Sequence, residues 1–465
     1  MFGGSRRSID RLSRLLGLFL ALAWFFAILF GPGGMRTAYA EGSRDLNTNG
    51  GKRALTEWRT NTTAGLYRRT FFRVYARAGE RILMGSSAVG VGSGDIVLYR
   101  EAQISSSQIA PAALAAITPE LKCSVYRQST PDAGALNTRA KELAGPLPAS
   151  GGYTPCVYIA PETGVYWVAM YGPDGPNGSA DGDAGTIDAP NVSTGQRSGV
   201  SMWDITVRNA ANTANIPGRV FVDYLAQITG GNGPSRRINS TLYTVTNDGF
   251  IYKVDFRGLD PNGYIFYGNR VGFLDPDGKT PLYHDMWFTD NTLATARGGT
   301  ILAPASAKMF FSYPATDLPA NILPTPAQPS ISNVNFQGSA YANNAYYASG
   351  GEFVYTGNIG GINQIVISRD GSDFDPTKPT NRVLYAQSVV GVNTVAWDGK
   401  DNNGDPFPVG NNYAYRMVFR AGEYHFPMLD VENSMLGGPT ITLLNPIGGS
   451  CPLATCRHAF YDDRG

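Results

Sequence analysis

Between Thr394 and Phe419 apolar residues alternate with polar ones on either side of a long polar turn. Val395 and Trp397 lead into it, and Tyr413, Tyr415, Met417 and Phe419 lead out. A spacing of two is the pattern of a half-buried strand. Asp398, Gly399, Asp401, Asn402, Asn403, Gly404, Asp405 and Pro406 lie between the two runs. These residue types suit positive φ and side-chain-to-backbone hydrogen bonds. The stretch predicts a hairpin with a polar tip, and it carries no nucleophile or general base.

The same alternation recurs along the chain. Phe72, Val74 and Ala76 alternate with Arg73, Tyr75 and Arg77, and residues 164–171 are apolar on both faces, as in a central strand. Leu242 to Thr246 run into Asn247-Asp248-Gly249, and Phe250, Tyr252, Val254 and Phe256 line the return, a hairpin signal. Helix candidates are confined to 108–117 and 134–144, where Leu136, Ala140 and Leu143 share a face. The 56 Gly, 30 Pro, 25 Tyr and 22 Phe fit short strands joined by tight turns. The expected fold class is all-β: tandem β-sandwich domains, Ig-like or jelly-roll-like, with one short inserted helix, after a signal peptide.

The start of the chain reads as an address. Arg6, Arg7, Arg11 and Arg14 precede an apolar run from Leu15 to Phe30, and Ala38-Tyr39-Ala40 ends the segment. This is a secretory signal, cleaved after Ala40, and Asp10 argues against a twin-arginine version. The exported chain then keeps no membrane segment and belongs outside the cell or on its surface. The expected organisation is 1–40 signal peptide, 41–69 flexible leader, 70–230 disulfide-tied β-sandwich and 231–315 second β unit, able to complete the first sandwich. A Pro-rich linker over 316–330, an Ig-like sandwich over 331–430 and a tail or fresh module over 431–465 follow. Thr440 to Leu444 has the look of a strand opening such a module, so the chain is expected to lean on downstream modules of a longer protein or on a partner.

W-D-G-K-D-N-N-G, then P-V-G and Tyr-x-Tyr, place Trp397, Asp398, Gly399, Asn403, Gly404, Gly410, Tyr413 and Tyr415 on one pattern. It resembles the closing hairpin of Ig-like modules of the flagellar hook-capping type, over roughly 330–430 by the extent of that sandwich. Asn411 and Asn412 separate Gly410 from Tyr413 where the pattern has one residue, which a bulge absorbs. The resemblance implies a structural module with no activity attached. The phrases R-A-G-E-R-I and G-S-G-D-I in turn look like those in the exported amino-terminal parts of large bacterial surface proteins.

Few residues offer chemistry. Cys123, Cys156, Cys451 and Cys456 form an early and a late pair, read as two disulfides in an oxidising compartment. Zinc on Cys451, Cys456 and His458 lacks a standard spacing and a fourth ligand. Asp401, Asn403 and Asp405 copy the first ligands of a calcium loop, but Pro406 stands where glycine is required and Asn412 where the bidentate glutamate belongs. Asp174, Asp181, Asp183 and Asp188 are a second set of oxygens for Ca²⁺. Gly90, Gly92 and Gly94 lack the βαβ context of a phosphate cradle. His284, His425 and His458 lie far apart with no catalytic motif. A stripe of aromatics including Tyr283, Trp287 and Phe288 could stack on sugar, though period-two aromatics commonly fill a core. With 38 basic and 37 acidic residues there is no field to draw in nucleic acid. The expectation is a non-enzymatic, exported structural or adhesive ectodomain of a bacterial surface protein, meeting other surface proteins or glycans. The alternative is a carbohydrate-binding or accessory part of a secreted hydrolase.

Overall fold

The computed structural model describes residues 41–46, 53–63, 65–124, 133–183, 194–230, 237–270, 273–274, 281–282, 301–302, 305–410, 412–425, 428–434 and 439–448. The alternating stretches become antiparallel strands throughout. A nine-stranded sheet runs in the order Thr440–Leu443, Ile251–Asp255, Thr241–Val245, Lys308–Phe310, Val220–Val222, Phe72–Ala76, Gly164–Met170, Ile96–Arg100, Leu121–Cys123. Opposite it lie two smaller sheets. One orders Glu41–Gly42, Trp203–Arg208, Arg81–Ser86 and Cys156–Ile159. The other orders Gly199–Val200, Leu55–Thr63, Tyr224–Ile228, Leu259–Tyr267 and Met428–Ser434, with Leu66–Arg69 beside its second strand.

One apolar core joins the three sheets. Phe72, Val74 and Val168 of the large sheet meet Ile82 and Trp203 of the first small sheet, and Tyr224 and Phe266 of the second. Phe72 and Trp203 lie 4.3 Å apart by ring centroids across the sandwich. The disulfide joins Cys123, on an edge strand of the large sheet, to Cys156, on an edge strand of the four-stranded one, with Cα atoms 6.2 Å apart. It therefore ties the two layers at one margin.

Two short helices are present among the described residues, where one was expected. Pro111–Ala115 starts on proline, whose fixed φ suits a first turn. Arg139–Ala144 is capped by Thr138, whose hydroxyl accepts from Lys141 N, and ends at Gly145 with φ 82°. The outer face of the large sheet is covered by irregular chain. Ile104 and Leu114 pack over Trp58, Tyr99 and Trp167, and Leu318 and Ile322 pack over Tyr75, Phe221 and Phe310.

Four expected boundaries change. Of the flexible leader 41–69, residues 41–46, 53–63 and 65–69 are instead structural. Its second strand, Leu55–Thr63, lies inside the six-stranded sheet. Its polarity is absorbed by ion pairs, such as Arg53 to Glu142 at 2.8 Å and Arg68 to Glu57 at 2.6 Å. Residues 231–315 share the large sheet with strands of 70–230, so the two are one body. The Pro-rich linker 316–330 lays Leu318 and Ile322 on that sheet. The described strands of the tail return to the body: Met428–Ser434 pairs with Leu259–Tyr267 and Thr440–Leu443 with Ile251–Asp255.

The remaining strands form a separate sandwich. Ile331–Gly338, Gly351–Gly357 and Gly391–Trp397 make one sheet, and Arg382–Ser388, Gly361–Ile367 and Tyr415–Arg420 the other. Phe353, Tyr355, Ile365, Ile367, Val395, Trp397 and Phe407 fill the space between. This module is an insertion, because the chain leaves the large sheet after Lys308–Phe310 and returns to the body at Met428–Ser434. Its two connections meet at the Asn247-Asp248-Gly249 turn. A Cβ on Gly249 would lie 2.2 Å from Pro324 O on the outward pass. On the return, Gly422 N donates to Asp248 Oδ2 at 2.7 Å.

Candidate functional site

Strand register gives the module a near and a far end. Ile331 pairs with Gly357 and Ile362 with Arg420, so both connections enter at one end. Gly338, Gly351 and Trp397 pair at the other. The polar turn 398–406 and the 339–350 loop therefore share the end remote from the body. The expected hairpin does not form: Gly391–Trp397 and Tyr415–Arg420 lie in opposite sheets of the sandwich, because each meets a different partner strand, and the polar turn crosses from one sheet to the other.

In the polar turn Trp397 Nε1 donates to Lys400 O at 2.9 Å, and Gly399 and Gly404 take φ 77° and 88°. Asp401 is buried and organises the turn. Its Oδ1 accepts from Asn403 N at 3.0 Å and Asp405 N at 2.9 Å, and its Oδ2 accepts from Arg369 Nη1 at 3.0 Å. The calcium candidate thus resolves differently from a ligand set. Asp401 already serves a guanidinium and two amides, while the side chains of Asn403 and Asp405 are exposed. The second acidic set is also engaged: Asp174 pairs with Arg197 at 3.2 Å and Asp181 with Arg59. No group of three or more metal-ligating side chains occurs among the described residues. Exposed Asp370 is held below the usual carboxylate range by amide donors from Asp373 and Ser372 and by Lys378.

The adjoining loop carries Tyr341, Tyr346 and Tyr347, exposed to 82 %, 68 % and 66 %. Its backbone is tied down. Ala340 N donates to Asn344 O at 2.9 Å, Tyr346 N to Ser339 Oγ at 3.1 Å, and Ser349 Oγ to Tyr346 O at 2.8 Å. Our sequence reading passed over these tyrosines. The available signal was three aromatics in a run of Ala, Asn and Ser with no period-two spacing, which a buried strand would not show.

The body holds a cavity of about 210 Å³ beside the Pro111–Ala115 helix, lined among others by Trp58, Arg59, Arg69, Tyr99, Lys122 and Tyr171. Tyr99 and Tyr171 hydroxyls stand 3.3 Å apart, and burial pushes both phenols up.

The early disulfide forms as expected. Cys451, Cys456, His284, His458, Asp188, Tyr283, Trp287, Phe288, the signal segment 1–40 and Ala40 itself lie outside the described residues. His425 contacts Glu423 at 2.8 Å, next to the return connection. Gly90, Gly92 and Gly94 form a tight turn against Pro173, where a Cβ on Gly94 would lie 2.1 Å from Ala88 O. Among the described residues no helix is long and apolar enough to cross a membrane. No family model, curated protein or solved structure matches this chain.

Proposed function

We propose that this chain is an exported, non-catalytic adhesive ectodomain of a bacterial surface protein, in which the body holds out the inserted module and the module grips with its far end. The observation that carries the reading is the trio Tyr341, Tyr346 and Tyr347, exposed on a hydrogen-bonded loop at the end remote from both connections. Solvent-facing aromatic rings on a pre-ordered backbone offer flat faces that stack on pyranose rings or on a protein partner, with little ordering entropy left to lose. The sequence supports export through residues 1–40, and the W-D-G-K-D-N-N-G motif on the turn between the module's two sheets supports the likeness to hook-capping Ig-like modules. The alternative, a carbohydrate-binding or accessory part of a secreted hydrolase, draws on the aromatic stripe that includes Trp287.

The test is a glycan array and a panel of immobilised matrix proteins, probed with the chain from Glu41 onward. Replacing all three tyrosines by alanine should weaken binding at least about tenfold, since aromatic hot spots exceed 1 kcal/mol each. Circular dichroism should not change, because the rings are exposed. Unchanged binding would sink the proposal, and loss on Trp287→Ala instead would favour the alternative.

A further inference from the structure

Among the described residues most buried arginines of the body are matched to carboxylates; two are not, Arg208, which donates to Asn212 O, and Arg69, which lines the cavity. Arg53 meets Glu142 in a two-pronged pair, with both contacts at 2.8 Å. Arg219 meets Glu80 at 3.5 Å and Asp317 at 2.5 Å. Around the cavity Arg59 and Arg68 share Glu57 and Asp181, and Lys122 pairs with Asp95 at 3.0 Å. Three cations there meet three anions. Arg69, 1 % exposed, is the fourth cation and has no carboxylate partner among the described residues. Its Nε and Nη2 donate to Ser107 O at 3.2 and 2.9 Å, and Nη2 also donates to Ile109 O. Its guanidinium lies 5.3 Å from the Trp58 ring centroid and 4.6 Å from that of Tyr67. Carbonyl dipoles and ring faces offset part of the charge but do not neutralise it.

An uncompensated guanidinium in the lining of a cavity rich in aromatic rings is a complement for one negative charge. With Nε and Nη2 given to Ser107 O and Ile109 O, Nη1 is left to donate a charge-assisted hydrogen bond to a carboxylate oxygen. The lining also includes rings and aliphatic carbons, with the Tyr99 and Tyr171 hydroxyls as polar points. A cavity of about 150 Å³ admits benzene, so 210 Å³ has room for one six-membered ring with its substituents. We propose that this cavity binds a monocarboxylate carried on a six-membered ring, with Arg69 as its counter-ion. The site lies in the body and stands independently of the adhesive reading. Burial works against the charge on Arg69, and a bound carboxylate relieves that cost.

Isothermal titration of the chain from Glu41 onward tests this with two acids, glucuronate and 4-hydroxybenzoate. Each is compared with its neutral counterpart, glucose and 4-hydroxybenzyl alcohol. At least one acid should bind tenfold or more tightly than its counterpart. Preference for glucuronate alone assigns a saccharide source, and for the benzoate alone an aromatic one. Arg69→Met should abolish the preference. Ala115→Trp, exposed at the cavity rim, should block binding without touching the core, and it decides the matter if Arg69→Met does not fold. The proposal is overturned if neither acid is preferred, or if the preference survives Ala115→Trp.

Discussion

Replacing Glu41 with glutamine should make the protein more stable in mild alkali. Glu41 sits on the edge strand opposite Ile205, and its Oε2 accepts from Arg219 N and Val220 N at 3.2 Å each. Burial nevertheless dominates and pushes its carboxyl up to about 8 from an ordinary 4.5. The folded form therefore holds a proton that the unfolded chain releases between those two pH values. Stability must fall as pH rises through this window, and the loss is complete above pH 8. At about 1.4 kcal/mol per pH unit the displacement corresponds to roughly 5 kcal/mol. Glutamine removes that loss but brings an amide donor to a buried position, at a cost of about 1–3 kcal/mol. The net gain expected at pH 9 is about 2–4 kcal/mol, turning to a small deficit at pH 5. Asp204, raised to about 7 by burial, and Glu57, also raised by burial, act in the same sense, so Glu41 is isolated by the difference between the wild-type and glutamine profiles. Urea unfolding at pH 5, 7 and 9 on both proteins measures this. Parallel pH profiles for the two, or a wild type that gains stability from pH 7 to 9, would refute the reasoning.

Gly249→Ala should destabilise by about 2–4 kcal/mol, because φ is +88° and the new methyl meets Pro324 O. Proteolysis should then open the chain near residues 320–330 before the rest unfolds. Reducing or replacing the Cys123–Cys156 bridge, which closes a separation of 33 residues, should cost roughly 3–4 kcal/mol in thermal unfolding. Non-reducing peptide mapping should also find Cys451 joined to Cys456. Mass spectrometry of the secreted protein should begin at Glu41, and an intact Met1 on membrane-bound protein would contradict cleavage.

What could be read from the sequence was local. Period-two runs such as Phe72–Ala76 and the Asn247-Asp248-Gly249 turn identified strands and hairpins directly, because pleat periodicity and positive φ are properties of neighbouring residues. Domain boundaries are set by pairings between distant residues. The strand at Thr440–Leu443 was visible, but that its partner is Ile251–Asp255 was not. The polar run 41–69, with Asn-Thr-Asn-Gly-Gly at 47–51, reads as a loose leader, since a sequence does not say that Glu142 awaits Arg53 or Glu57 awaits Arg68 in the fold. Asp401 was legible as a turn-former. Its Arg369 partner, 32 residues away, was not. Arg69 belongs to the same class. Its significance lies in a carboxylate that does not face it, which no spacing records.

The account stands on the division of labour between body and inserted module, and one excision tests it most directly. The two connections meet at the same Asp248-Gly249 turn, so residues 328–421 can be replaced by a bridge of about six residues without straining the body. Binding to the glycan array and matrix panel is then compared for the whole chain, the bridged body and the isolated 328–421 segment. The module alone should retain the whole chain's binding, while the bridged body unfolds cooperatively but binds nothing. A folded body that binds as well as the whole chain would contradict the account.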